Sequence, residues 1–114
     1  MATPVERPAN KHVYHLYVIR TPRRDALQAW LKNQGVSTGI HYPVPCHLQN
    51  ALRYLGYKAG DLPVTERVAA EVLSLPMYAE LASEQIQYVA DSIKAFYDAP
   101  TLTTQMPEIR MAAA

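Results

Sequence analysis

The feature that most constrains the fold is a strand pattern followed immediately by a helix pattern. Residues 13–20, VYHLYVIR, are nearly all β-branched, aromatic or aliphatic, which is typical of a strand covered on much of both faces. Thr21 can then cap a helix that has Pro22 at its first position. The apolar stripe of this helix comprises Leu27, Trp30 and Leu31. A chain with this pattern is expected to pack helices against a sheet.

The next segment predicts a second strand that ends abruptly. Residues 36–42, VSTGIHY, alternate between two sets of side chains, as expected for a strand with two distinct faces. Pro43 and Pro45 lack the N–H groups that further strand pairing would need, so they end the pattern and keep the chain extended. We expect a short helix over residues 47–55, stopped by Gly56.

The second half of the sequence predicts two helices and a third strand. Pro63 can start a helix, and the apolar residues on its side are Val64, Val68 and Val72. The run LSLPM, residues 73–77, reads as a short strand stopped by Pro76. The apolar stripe of the last helix comprises Ile86, Val89, Ala90, Ile93 and Phe96. These elements predict an α/β two-layer sandwich, with helices packed on a small mixed or antiparallel sheet of about three strands.

Both ends of the chain lack a sustained pattern. Residues 1–11 are expected to form a flexible arm and residues 98–114 a flexible tail, which leaves one ordered domain over residues 12–97.

The overall composition excludes several classes of protein. The 114 residues carry a formal net charge of +1, which gives no electrostatic reason to expect nucleic acid or an anionic membrane as a partner. The sequence shows neither a signal-peptide pattern nor a long apolar run. The single cysteine, Cys46, cannot form an internal disulfide, which suits a reducing compartment, so we expect a cytoplasmic protein.

The segment GIHYPVPCHLQ, residues 39–49, concentrates polar and conformationally stiff residues where the second strand meets a loop. His41, Cys46 and His47 could ligate zinc, but a stable site needs four ligands, and only His12 and His15 remain as partners. Cys46 beside a histidine could also act as a nucleophile, although the sequence places no acid to orient the base. We therefore predict neither a metal site nor a catalytic residue in this chain.

Four segments together resemble a known family. They are HVYHLYVIR, GIHYPVPCHLQNALRYLGY, GDLPVTERVAAEVLSLPMY and LASEQIQYVADSI. In this order they resemble the C-terminal small domain of the DegT/DnrJ/EryC1/StrS family of sugar aminotransferases, which depend on pyridoxal phosphate (PLP). The resemblance implies amino transfer from an amino-acid donor, commonly glutamate, to a keto-sugar attached to a nucleotide.

The resemblance also implies that the catalytic centre lies on a large domain that this chain lacks. In the family a buried lysine holds PLP as a Schiff base, and burial lowers the pKa of such a lysine. The four lysines of this chain, each better explained as a surface charge, are Lys11, Lys32, Lys58 and Lys94. We therefore expect no PLP binding and no transaminase activity from the chain alone, although PLP serves the full-length family. Its enzyme status stays open.

The resemblance assigns substrate-binding roles within the loop. His41 and Tyr42 are implied to shape the sugar-nucleotide pocket at the interface between the two domains. His47 and Gln49 either line the edge of that pocket or cap the short helix. The residues alone favour His41 as a solvated strand end and Tyr42 as a core aromatic; the resemblance favours the binding role, more for His41 than for Tyr42.

Two other kinds of partner stay open. The first is a second copy of the chain, in a binding or dimerisation module without catalysis that uses the face left bare by the large domain. The second is a nucleic acid stacked on Tyr14 or Tyr17, which the near-neutral charge argues against.

Overall fold

The fold is described for residues 1–99 by a computed structural model. Its elements in chain order are strand β1 (Tyr17–Arg20), helix α1 (Arg24–Asn33), two 3-10 segments (Cys46–Leu48 and Asn50–Leu55), helix α2 (Pro63–Glu71), strand β2 (Val72–Leu75) and helix α3 (Ser83–Asp98). Residues 100–114, which make up most of the expected tail, lie outside the described part. The alternation of strands and helices confirms the α/β class.

The sheet is a single antiparallel pair. β1 and β2 pair with Tyr17 opposite Leu75 and Ile19 opposite Leu73. Side chains of successive strand residues point to opposite faces, so these four residues share one face, while Val18 and Ser74 lie on the other.

The main apolar cluster of the core lies on the first of these faces. Leu27 and Leu31 on α1 are fully buried, as is Leu73 on β2. The buried apolar cluster comprises Ile19, Leu27, Leu31, Val36, Leu73, Ile93 and Phe96. Helices α1 and α3 thus form one layer and the sheet forms the other.

The predicted second strand, residues 36–42, is the main correction. Within residues 1–99 the sheet has two strands where about three were expected, and the 36–42 segment contributes one isolated bridge, between Gly39 and Ser74. The expected two faces nevertheless exist up to Ile40, because Val36 is buried in the core and Ile40 packs against it. Tyr42 departs from the pattern, since 73% of it is exposed.

Several element boundaries also differ from expectation. The first strand begins only at Tyr17, because Tyr14 has a φ of 48° and Val13 is exposed. Helix α1 starts at Arg24, and the Thr21 hydroxyl accepts a hydrogen bond from the Arg23 N–H at 3.1 Å instead of capping the helix directly.

The segment expected as one short helix, residues 47–55, is split into two 3-10 segments. Gln49 has extended backbone angles, φ −71° and ψ 140°, which separate them, and Gly56 ends the second segment as predicted. Val72, expected on a helix, is likewise extended and begins β2. The arm expected over residues 1–11 meets the sheet where Ala2 and Arg20 pair, and its flexibility stays a prediction.

Candidate functional site

The site begins where the chain leaves the core at Gly39. The backbone N–H of Gly39 donates to Ser74 O at 3.0 Å, and the Ser74 N–H donates to Gly39 O at 2.8 Å. This bridge holds the start of the loop against the edge of β2. The His41 ring, which reaches Ser74 Oγ, lies on the Ser74 face of the sheet, opposite the face that α1 and α3 cover.

His41 lies over Gly39 and reaches Ser74. A side-chain carbon built on Gly39 would stand 2.9 Å from His41 Cε1, so the imidazole occupies the space that glycine leaves free. The Nδ1 atom of His41 lies 2.8 Å from Ser74 Oγ. His41 itself is exposed, so its ring is held on one side and open on the other.

Tyr42 stands beside this imidazole. The two rings meet edge to face, with centroids 5.3 Å apart. Tyr42 borders a shallow depression whose other lining residues are Pro43, Val44, Leu48, Gln49 and Asn50. The structure therefore brings three of the predicted residues, His41, Tyr42 and Gln49, to one exposed surface.

His47 occupies a different environment. It is buried, and its Nε2 lies 3.0 Å from Glu66 Oε1 on α2, with Tyr57 edge-on at 6.1 Å. Its Nδ1 is buried without a hydrogen-bond partner among residues 1–99. His47 does not line the depression beside Tyr42, and its contacts instead tie the loop to α2.

Glu66 completes this tie. Its carboxylate accepts hydrogen bonds from the backbone N–H groups of Gly60, at 2.9 Å, and Leu62, at 3.4 Å. The hydrogen bond from His47, and then that from Gly60, holds the pKa of the Glu66 carboxyl below its ordinary value of 4.5. The Glu66 carboxylate thus binds both the first 3-10 segment, through His47, and the turn before α2, through Gly60 and Leu62.

The alternative chemistries of the loop lack their partners in the described structure. Cys46 is exposed, and no three side chains of the His, Cys, Asp or Glu type come together as a possible metal site within residues 1–99. The zinc hypothesis therefore has no supporting geometry.

The lysines do not fit PLP. All four side chains, Lys11, Lys32, Lys58 and Lys94, are exposed. A Schiff-base lysine needs burial or a neighbouring charge that favours its neutral form. We therefore assign no PLP-binding residue to this chain.

An apolar groove of about 470 Å³ lies at the edge of the core, beside α3. Tyr14 and Tyr17, stacked with centroids 5.8 Å apart, line it together with Leu75, Met77 and Ile86. Among the described lining residues, Lys94 has the one charged side chain. The two tyrosines considered as stacking platforms for bases are thus part of an apolar surface with little positive charge.

Three residues of the site were not predicted. Ser74 and Glu66 hold His41 and His47 through contacts between residues 33 and 19 positions apart in the sequence. Gly39 gives His41 its space and lies two positions before it, within the segment GIHYPVPCHLQ. Ser74 did carry a signal, because it is the polar residue within the apolar run LSL. Glu66 carried none that differs from an ordinary helix-surface charge.

Among residues 1–99, no helix has the length and apolar character needed to cross a membrane.

Comparison with known proteins agrees with the resemblance in the sequence. A profile of the DegT/DnrJ/EryC1/StrS aminotransferase family matches residues 1–94. A protein of Geobacillus stearothermophilus described as a pleiotropic regulatory protein is 53% identical over 97 residues, which cover 85% of this chain and 26% of that relative. The dTDP-3-amino-3,4,6-trideoxy-alpha-D-glucose transaminase of Streptomyces venezuelae is 41% identical over 91 residues, covering 80% of this chain and 24% of that enzyme.

The fold also matches a solved structure. The crystal structure of S. venezuelae DesV in complex with a ketimine intermediate matches with a TM-score of 0.82 and 37% identity, over 87% of this chain and 27% of that chain. This chain therefore spans about a quarter of the length of the relatives that it matches. The profile match, the curated relatives and the shared fold agree, and the chain belongs to the DegT/DnrJ/EryC1/StrS aminotransferase family.

Proposed function

We propose that this chain is the C-terminal small domain of a PLP-dependent nucleotide-sugar aminotransferase. The complete enzyme would move an amino group from an amino-acid donor to a keto-sugar, in the cytoplasm. Several curated relatives carry names of sugar-nucleotide transaminases, which supports this substrate class. The observation that carries the proposal is the exposed His41 ring, fixed by Ser74 and Gly39 beside Tyr42.

The catalytic lysine and the PLP site would belong to the large domain of the complete enzyme. The relatives are about four times as long, which leaves room for such a domain. All four lysines here are exposed, which supports the proposal that the catalytic lysine lies on another domain. The proposed partner of this chain is accordingly the large aminotransferase domain.

Within this function, His41 and Tyr42 would contact the nucleotide-sugar substrate directly. His41 offers a ring nitrogen and Tyr42 a phenol on the same exposed surface, and both groups can hydrogen-bond sugar or phosphate oxygens. For His47, the buried position and the contact with Glu66 favour an indirect role, in which it holds the loop that carries the other two.

A chimaeric enzyme tests the proposal. This chain would replace the matching 91-residue segment of the S. venezuelae transaminase, which is 41% identical to it. We expect the chimaera to retain transaminase activity and His41→Ala to lower kcat/KM about tenfold, the cost of one lost hydrogen bond to the substrate.

Tyr54→Ala is the matched control, because Tyr54 is 80% exposed and does not line the depression beside Tyr42. It should leave kcat/KM unchanged. An active chimaera in which His41→Ala behaves like this control would contradict a substrate-binding role for His41.

A second candidate function is self-association without catalysis, favoured by the apolar groove beside α3. Two copies could cover each other's grooves, as exposed apolar patches of this kind mark interaction sites. Sedimentation at increasing concentration tests this, with Ile86→Lys to place a charge in the groove and Val64→Lys on α2 as control. A monomer at every concentration would eliminate the candidate.

A further inference from the structure

The side chain of Ser74 has an unusual position for a hydroxyl. It lies in the apolar run of β2 and is only 4% exposed. Its backbone N–H and C=O are both used in the bridge to Gly39. Within the described chain, the one hydrogen-bond partner of its hydroxyl is His41 Nδ1, at 2.8 Å.

Counting protons distinguishes the two possible arrangements of this pair. If His41 Nδ1 carried the hydrogen and donated it to Ser74 Oγ, the hydroxyl hydrogen would be left without an acceptor inside the protein. A buried donor without an acceptor is costly. If the hydroxyl donates to an unprotonated Nδ1, both the hydroxyl and Nδ1 have a partner, and the hydrogen of the neutral ring then resides on the outward-facing Nε2.

We propose that Ser74 is a positioning residue that fixes His41 as an Nε2–H donor toward the open side of the loop. This proposal rests on the substrate-binding role proposed above and adds the chemistry of recognition. His41 would select a ligand atom with an oxygen lone pair, such as a phosphate, carbonyl or hydroxyl oxygen. An ammonium group, which only donates, would find no acceptor there.

Three contacts restrict the ring to this orientation. Ser74 holds Nδ1, the missing side chain of Gly39 gives the ring its place, and the Tyr42 ring meets it edge to face with centroids 5.3 Å apart. His41 is exposed, and Nε2 has no hydrogen-bond partner among residues 1–99, so the donor is available to a ligand.

Nitrogen NMR of the 114-residue chain tests the proposal without any substrate. The spectrum is recorded at about pH 8.5, a condition chosen to distinguish the two nitrogens of a neutral imidazole. We expect His41 to have a protonated Nε2 and an unprotonated, hydrogen-bonded Nδ1. We also expect a strong nuclear Overhauser contact between His41 Hε1 and the Gly39 α-protons. A protonated Nδ1 would overturn the proposal.

Ser74→Ala tests whether the serine is the cause. The Nδ1 resonance should move downfield on loss of its donor, and the contact with Gly39 should weaken. Ser37→Ala, at an exposed serine before the same loop, is the control and should change neither signal. If Ser74→Ala leaves both signals as in the wild type, Ser74 does not position His41. The wild-type tautomer decides the proposal even if this variant fails to fold.

The chimaeric enzyme separates failure of this inference from failure of the proposed function. We expect Ser74→Ala to raise KM less than His41→Ala does. His41→Gln, which keeps an N–H donor at similar reach, should recover part of the loss. If His41→Ala has no effect while the NMR shows the expected tautomer, the substrate-binding role is wrong and the Ser74 contact stands. If the tautomer is wrong while His41→Ala lowers kcat/KM, only the inference about Ser74 is overturned.

Discussion

At the scale of single residues, two glycines show opposite reasons for lacking a side chain. Gly39 needs open space, because any side-chain carbon there would press on the His41 ring at 2.9 Å. Gly35, just past the end of α1, has open space around it but a φ of +75°. The first glycine therefore serves the candidate site, and the second serves the helix end.

Substituting each glycine with alanine should separate these roles. In Gly39→Ala the new methyl group displaces His41 from Ser74 and leaves the buried Ser74 hydroxyl without its partner, so we expect a loss of about 1–3 kcal/mol in the free energy of unfolding. Gly35→Ala should cost about 1 kcal/mol, because alanine is strained at that φ, and should leave His41 in place. Urea unfolding and the NMR contact between His41 and residue 39 measure the two effects. A Gly39→Ala variant in which His41 stays on Ser74 would contradict this assignment.

The Glu66 carboxylate predicts a dependence of stability on acid. Its pKa is lowered in the folded chain by the hydrogen bonds from His47 and Gly60, so folding favours the ionised form. This contribution is fully present above the ordinary pKa of 4.5 and is lost as the pH falls through the lower folded value. Urea unfolding at a series of pH values should show this loss.

Glu66→Gln should flatten that part of the pH profile, because it removes the titrating group. The control is Glu80→Gln, at an exposed carboxyl with no hydrogen bond assigned in the described structure, which should leave the profile unchanged. An unaltered profile in Glu66→Gln would mean that the tie to His47 contributes nothing to acid stability.

At the scale of elements, α1 shows how much of the fold one apolar stripe supports. Leu27 and Leu31 are fully buried, and the cluster around them joins α1 to both strands and to α3. Trp30 extends the contact, since its indole N–H donates to Ser92 O at 2.9 Å. Helix α1 is therefore held by side chains from every other element of the core.

Shortening a buried side chain of α1 should therefore lower the free energy of unfolding substantially. Leu31→Ala removes fully buried methyl groups, and we expect a loss of about 2–5 kcal/mol in the free energy of unfolding. Lys32→Ala, the exposed neighbour, should change it by less than about 0.5 kcal/mol. Circular dichroism during urea titration measures both, and equal effects would contradict the assignment of the core.

The elements also show what the sequence could predict. Helices α1 and α3 followed from the spacing of apolar residues, because a helix satisfies its own backbone hydrogen bonds. The strand expected over residues 36–42 did not form, because a strand also needs a partner, and the neighbouring β2 pairs with this segment at Gly39 alone. His41 and Tyr42 could be named from the loop, whereas the pairing of His41 with Ser74, 33 residues away, required the tertiary fold.

At the scale of the whole molecule, the main apolar cluster lies on one face of the sheet and the His41 ring on the other. The loop around Tyr42 and the groove beside α3 are both open, and every lysine is exposed. This distribution agrees with a chain that spans about a quarter of the length of its relatives.

This distribution predicts how the isolated chain behaves with PLP. Supplied with PLP, glutamate and a dTDP-linked keto-sugar, it should form no amino-sugar, because no lysine has the burial that the chemistry needs. Borohydride reduction in the presence of PLP should label several exposed lysines weakly. Stoichiometric labelling of one lysine, or turnover by the chain alone, would refute the proposal that the catalytic lysine and the PLP site belong to the large domain.

Trp30, the single tryptophan of the chain, lies at the interface between α1 and α3. Its ring centroid is 6.2 Å from that of Phe96, and its indole N–H donates to the Ser92 carbonyl oxygen. Its fluorescence therefore reports on the packing of α1 against α3, and a red shift of the emission would indicate that the two helices have separated. Because the His41 ring lies on the far side of the sheet, ligands captured there should leave this optical signal nearly untouched.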